Sequence, residues 1–426
     1  MSYIYSIIAK LCKFIEHRIR ESYIFYIIHS IFLFFDRQWE KSILRNIYPK
    51  QNKEFIKSNI LKNELFNPLI VIFLFSLFLI LGLRAMSYSL TINIIIAFLS
   101  FIIGANLIPK HFFNKNKKFL KFNPEDIYSI GFCLLIIGII FFFINIAYLK
   151  GIPLLHPTLR YKLVAALTMP VFLIIPGIGI MESYYIHLKT EGKLTRSQVR
   201  FRFLVLNIIG IILLLVLAYR TPILALLLIM IIIGYYGDSV SINEVILVGI
   251  IGLLGLIGLG YMRSLSEMLI TSNTNPFYTL ESRATFTSNV LDLLTLLSGN
   301  FGLMHGGFIL KSLPGSDYGP RMMVGQLLNW RSGVTITPTI IGPMLIDFGR
   351  IGVAIGMFFI GLILGIGYKL LKISKNYFYI GLYALLLTYT ILGIETGILD
   401  IQVLIYFFIG ILVYLANIIA YKKHLI

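Results

Sequence analysis

The side chains of this sequence best suited to chemistry are arginines and one histidine, gathered in a few polar segments. Arg160 and Lys162 follow Gly151-Ile152-Pro153-Leu154-Leu155, Arg220 sits in Tyr219-Arg220-Thr221-Pro222, and Arg263, Arg283, Arg321 and Arg331 fall between residues 263 and 338. A guanidinium is a planar fork of donors that matches phosphate oxygens two at a time, so this set suits an anionic or diphosphate-linked substrate. His305 lies in Gly302-Leu303-Met304-His305-Gly306-Gly307, where glycines let a substrate approach the backbone closely. A neutral imidazole there is matched to general-base work near neutral pH. Plainer readings exist for both: a solvated loop histidine, and arginines that snorkel to lipid headgroups. Glu281, two residues from Arg283, is the rival base, and His156 beside Pro157 reads as a turn residue.

Other familiar chemistries lack their residues. There is no GxxxxGK[ST] run for a nucleotide, and Asp347-Phe348-Gly349 shares only its letters with a kinase triplet. No His, Asp and Glu cluster has metal-ligand spacing, and Cys12 and Cys133 are too isolated for a disulfide framework or a thiolate site. Neither a metal nor a cofactor is expected.

The elements that must position these groups are written in the composition. Of 426 residues 58% are hydrophobic and 13% charged, with a mean hydropathy of +0.87, which excludes an ordinary soluble enzyme. Apolar runs near 67–83, 86–108, 127–149, 163–181, 203–219, 221–236, 244–262, 351–368, 377–394 and 402–420 predict about ten transmembrane helices. The expected fold is therefore all-α, a polytopic membrane helical bundle with one large external loop at 263–338. The remaining divisions are a basic cytoplasmic or interfacial segment at 1–66, a first group of helices at 67–262 and a C-terminal group at 339–426. With residues 1–66 inside, the inner segments hold 26 of the 37 Lys and Arg and 12 of the 19 acids. Positive-inside bias thus accounts for the net +18 without a nucleic-acid partner. Inside the large loop, Phe286, Val290, Leu293, Leu294 and Leu297 recur at helical spacing and predict a surface helix over the membrane domain. Gly352/Gly356 and Gly361/Gly365 have the spacing of close helix packing.

These residues carry a resemblance. Gly151 to Leu155 with Arg160, Arg220 between two central spans, a large loop opening with Arg263, and Arg331-Ser332-Gly333 leading through Thr335, Thr337, Pro338 and Gly342 to Asp347-Phe348-Gly349 resemble the oligosaccharide repeat unit polymerases. That family is also called Wzy or O-antigen polymerases. Its members are described with an arginine followed after ten residues by glycine, as in Arg331 and Gly342, and Arg283 with Gly299 makes a second, wider pair. The resemblance covers about residues 67 to 420. It implies a multi-pass enzyme of the cytoplasmic membrane that joins polyprenyl-diphosphate-linked oligosaccharides on the outer face, among membrane lipids and beside a flippase and a chain-length regulator. It further implies that Arg283 and Arg331 stabilise the diphosphate, that His305 takes the acceptor proton, and that Arg160, Arg220 and Arg263 bind the same substrate. A glycan ligase and a transporter of the same lipid-linked sugars are the alternative readings. The scarcity of charge within the spans favours the enzyme over the transporter.

The orientation is directly testable. A cysteine placed at Ser316 is expected to react with a membrane-impermeant reagent in intact cells, and reaction only after permeabilisation would invert the topology.

Overall fold

The computed structural model describes residues 2–22, 26, 30, 33–34, 37–38, 64–82, 86–108, 122–156, 159, 162–250, 252, 276–313, 319–328, 336–374 and 376–422. In chain order the helices are α1 (Ser2–Arg20), α2 (Ile70–Leu81), α3 (Tyr88–Asn106), α4 (Pro124–Leu149), α5 (Ala165–Thr190), α6 (Arg196–Val216) and α7 (Thr221–Tyr236). They continue with α8 (Pro276–Ser298), α9 (Gly307–Leu310), α10 (Pro320–Leu327), α11 (Gly342–Ile373), α12 (Phe378–Thr396) and α13 (Ile401–Lys422). No strand occurs among the described residues. This follows from the solvent: within hydrocarbon a helix satisfies its backbone groups internally, whereas an open strand does not.

Among the described residues six helices are long and apolar enough to cross a membrane, namely α3, α4, α5, α6, α11 and α12. The expected count of about ten is not reached. Ile70–Leu81, Thr221–Tyr236 and the Ile401–Asn417 part of α13 are apolar but shorter, and of the run expected at 244–262 most lies outside the described residues. Six such helices make a multi-pass membrane protein.

Two compact units divide the chain. The first comprises Met1–Glu64, Lys118–Val245 and Leu371–Leu385, and the second Leu65–Lys117, Ile246–Leu370 and Leu386–Ile426.

In the first unit α4 and α5 approach until backbones touch: a Cβ on Gly177 would stand 2.8 Å from the Leu135 amide nitrogen and 2.9 Å from the Gly131 carbonyl. Small residues permit this contact, and dispersion then holds the pair where the hydrophobic effect supplies no drive. Asn207 on α6 bridges to α5, its Nδ2 donating to Glu182 Oε1 at 2.5 Å and to the Phe203 carbonyl at 2.8 Å. Both side chains are buried. At one end Lys189 Nζ donates to the carbonyls of Gly237 and Asp238 at 3.0 and 2.6 Å, while Arg200 Nε donates to the Ser239 carbonyl at 2.5 Å. Cations here satisfy the carbonyls of the turn that follows α7, while the last turn of α7 takes the amides of Gly237 to Val240. The interval between the runs expected at 163–181 and 203–219 consequently shrinks to a connection at 191–195, with Lys189, Arg196 and Arg200 taken into helix ends.

In the second unit Gly361 and Gly365 of α11 abut the backbone of α3 at Phe101 and Ala105, as their spacing predicted, while Gly352 and Gly356 receive Met344 of their own helix. The helix expected over the surface is α8, but it packs beside α2 and α3, with Ser288 against Gly82. Its buried face overlaps the expected stripe only in part. Val290 and Leu294 of that stripe are buried together with Ala284, Thr287, Ser288, Leu291 and Thr295, whereas Phe286, Leu293 and Leu297 are exposed. Small and hydroxyl-bearing residues line a close helix contact in a membrane protein, and large apolar ones can face outward. Asp292 accepts from the Ser87 amide at 2.8 Å and from its hydroxyl, and Arg350 Nε donates to Asn93 Oδ1 at 2.9 Å.

The Glu182–Asn207 bridge makes a stability prediction. Asn207→Leu leaves a buried carboxyl without its donor and should cost about 1–3 kcal/mol. Removing both partners in a Glu182→Met/Asn207→Leu double variant should recover most of it. Thermal unfolding in detergent distinguishes the two, and equal loss in both variants would refute the coupling.

Candidate functional site

The His305 segment is built by the end of α8 and a break in α11. Gly299 adopts φ 54° and ends α8, with its N–H donating to the Thr295 carbonyl at 3.2 Å. The chain then turns through Gly302 at φ 83°, His305 at φ 47° and Gly306 at φ 98° before α9 begins. Left-handed backbone at a non-glycine residue is strained, so surrounding contacts must enforce it at His305.

Those contacts come from Ile346-Asp347. The amides of Leu303 and Met304 donate to the Ile346 carbonyl at 2.7 and 3.2 Å, and the His305 amide donates to the Asp347 carbonyl at 2.9 Å. The Asp347 carboxylate, fully buried, accepts from the amides of Phe308 and Ile309 at 2.8 and 2.9 Å. These carbonyls are available because α11 breaks two residues later, at Gly349 with φ 59° and ψ −144°. A side chain at Gly349 would strike the Asn300 carbonyl, and one at Gly302 would strike that of Asp347, so two glycines seal the clasp. Beneath it Phe308, Ile346, Val290, Leu294, Met323, Val324, Ile336 and Leu399 form one apolar cluster. His305 itself remains exposed on this rigid base.

A second polar feature shares that base. Arg321 at the start of α10 pairs with Asp400, between α12 and α13, at 2.5 Å, with 37% of each side chain exposed. Burial pushes the Asp400 carboxyl above its ordinary value and the Arg321 guanidinium pulls it back. The Ile336 amide donates to the Arg321 carbonyl at 3.0 Å, joining the segment that follows Arg331 to α10. Thr339 next to it is held at φ 60°, a costly conformation for a β-branched residue.

The other expected site residues distribute as follows. Arg220 is the exposed residue preceding α7, in the first unit. The turn that carries it is tied to the Gly151–Leu155 segment, since the Leu154 amide donates to the Val216 carbonyl at 3.1 Å. Arg283 lies on α8, with its side chain outside the described residues. Arg160, Arg263 and Arg331 also lie outside them. His156 forms the turn expected of it, accepting from the Leu159 amide at 2.9 Å. Among the described residues no group of three His, Cys, Asp or Glu could hold a metal ion. Two functional groups were not legible beforehand: Asp347 as the anchor of the His305 segment, and Asp400 as the partner of Arg321. The Asp-Phe-Gly triplet at the entrance of a span was the available signal for the first.

The sequence profile of a family described as "Putative O-antigen polymerase" matches residues 64–407, which include both the clasp and the Arg321–Asp400 pair. The chain belongs to this family. A protein of Methanocaldococcus jannaschii described as uncharacterized is 30% identical over 319 residues, spanning 74% of this chain and 83% of its own. No solved structure matches the chain. Membership of the O-antigen polymerase family makes the molecule a membrane protein of glycan polymerisation in the broad sense, and suggests a glycosyltransferase-type activity on lipid-linked oligosaccharide.

The clasp predicts a graded series. Asp347→Ala orphans the buried Phe308 amide, at about 1–3 kcal/mol, together with the part-buried Ile309 amide, and should open residues 302–309 to proteolysis. Asp347→Asn retains one acceptor oxygen and should fall between it and the parent. Parent-like protease resistance in Asp347→Ala would sink the anchoring role.

Proposed function

We propose that the protein joins lipid-diphosphate-linked oligosaccharide repeat units into a longer glycan on the outer face of the cytoplasmic membrane. The observation that carries this reading is the family match, which runs through the segment where an exposed histidine stands on a buried backbone clasp. In the reaction an acceptor sugar hydroxyl attacks the anomeric carbon of the growing chain. The new glycosidic C–O bond forms, the bond to the diphosphate breaks, and polyprenyl diphosphate departs with the electron pair.

Two demands follow. The hydroxyl is a poor nucleophile near neutral pH, so a positioned base is worth roughly 10²- to 10⁴-fold, and His305 is assigned that role. Negative charge grows on the departing diphosphate, and Arg283 and Arg331 are assigned to stabilise it. Arg160, Arg220 and Arg263 are assigned to binding the same anionic substrate. The large segment 263–338 is then the substrate-facing region. A flippase that delivers the lipid-linked unit and a chain-length regulator are the natural working partners.

The exposure of His305 together with its enforced backbone supports the assignment: a base must reach substrate yet hold its position. Deleting the gene and sizing the surface glycan tests the reaction class. Single repeats on the carrier support polymerisation, free long chains indicate a ligase, and absence of external glycan indicates a flippase. With purified enzyme and a synthetic lipid-linked repeat, His305→Ala should lower turnover at least tenfold. Near-normal turnover there, with loss in Glu281→Gln, would transfer the role of base to Glu281. Arg283→Lys and Arg331→Lys keep the charge but lose the paired donors, so both should shorten the polymer.

A further inference from the structure

The helix α1 precedes the region matched by the family profile and contributes no residue to the site described above. We propose that α1 lies in the plane of the membrane surface as an amphipathic helix, with its outer face in the acyl chains and its basic edge on anionic lipid headgroups.

Three stripes on α1, each at i, i+4, i+7, i+11, carry the geometry. Tyr5, Ala9, Cys12 and Glu16 form the first and meet α4. The Tyr5 and Phe122 rings stand edge to face at 5.7 Å, the Cys133 thiol lies 3.5 Å from the Cys12 carbonyl, and the Ser129 hydroxyl donates to Glu16. From the next stripe Lys13 pairs with Asp126 at 2.5 Å. All of these contacts fall on residues 122–133, the N-terminal end of a helix of spanning length, so α1 is held where that span enters the membrane.

Ser6, Lys10, Lys13 and His17 form that second, polar stripe. Lys10 and His17 are exposed along it, and His17 stands 3.2 Å from Glu21. The third stripe is Ile7, Leu11, Phe14 and Arg18, turned away from α4. Leu11 and Phe14 are 59% and 58% exposed, and Arg18 lies over the Phe14 ring at 5.4 Å and 3.8 Å from Glu21. Exposed Ile8 widens this apolar arc.

A helix with charge in every turn after Ala9 cannot replace a span, since Lys10, Lys13, Glu16, Arg18 and Arg20 would all enter hydrocarbon. Nor does its apolar arc belong in water beside a membrane-spanning helix. A lipid surface satisfies both faces at once. Against Lys10, Lys13, Arg18 and Arg20 stand Glu16, which holds Arg20 at 2.7 Å, Glu21 and the Asp126 that pairs with Lys13, and the remaining positive excess on this edge favours negatively charged headgroups. Arg18 above Phe14 is then a snorkelling cation at the rim of the buried face.

The test uses the full chain in vesicles. Nitroxide labels on Leu11→Cys and Lys10→Cys, in a Cys12→Ala/Cys133→Ala background, are compared in phosphatidylglycerol–phosphatidylcholine and in pure phosphatidylcholine membranes. The label at 11 should collide mainly with oxygen and the label at 10 mainly with a water-soluble nickel chelate. Lys10→Glu should raise chelate access at position 11 severalfold in the anionic vesicles. Equal chelate access at 10 and 11 would overturn the proposal, as would shielding of position 11 from both reagents, which means a protein partner. Identical immersion in the two membranes, unaffected by Lys10→Glu, would remove the anionic selectivity. Should the cysteine-free background fail to fold, a phospholipid with a photoactivatable acyl chain is applied to the unmodified protein. Adducts on Leu11 or Phe14 support the proposal, and their absence from α1 overturns it.

Discussion

A buried carboxylate holding two backbone amides is the contact on which the candidate site depends. Asp347 accepts from Phe308 and Ile309 while its own carbonyl takes the amide of His305, so one residue fixes both sides of the exposed histidine. An acceptor of this kind is strong because it is charged and desolvated, and its loss would leave amides with no replacement. The strained conformation of His305 is affordable only in that setting. Gly302 and Gly349 complete it by permitting backbone contacts that any side chain would block.

The same physics recurs wherever polar groups enter the apolar helices. Asn207 serves Glu182, Arg350 serves Asn93, and Asp292 serves Ser87, each pairing joining two helices. In a bilayer a polar side chain has no water to fall back on, so each of these pairings specifies which helices meet and in which rotation. On α8 Thr295 makes such a contact, accepting from Asn93 Nδ2 at 3.5 Å, while Ser288 turns inward against Gly82, and Phe286, Leu293 and Leu297 stay outside. The Lys189 and Arg200 contacts to the carbonyls of Gly237 to Ser239 extend the rule to the turn after α7, where cations supply the donors.

Local chemistry and membrane placement converge in this protein. Family membership supplies the class of reaction, the clasp supplies a rigid histidine, and the half-exposed Arg321–Asp400 pair stands over the same apolar cluster. An ion pair of this exposure contributes little to stability. It ties the start of α10 to the turn between α12 and α13.

The sequence by itself determined that the chain is helical and membrane-embedded, because apolar runs of spanning length leave no other backbone solution. It also carries the start signals of three helices: Ser87 and Asn123 cap α3 and α4, and Thr195 with Gln198 forms the capping box of α6. These signals act over three or four residues and are readable locally. Helix rotation, the shortness of the 191–195 connection and the anchoring of His305 were decided only by tertiary structure. Asp347 and Phe308 are 39 residues apart, Arg321 and Asp400 79, and Ser87 and Asp292 205. No local propensity records which of several buried polar groups will find one another. The pairing is settled when helices pack, where the lipid offers no competing partner.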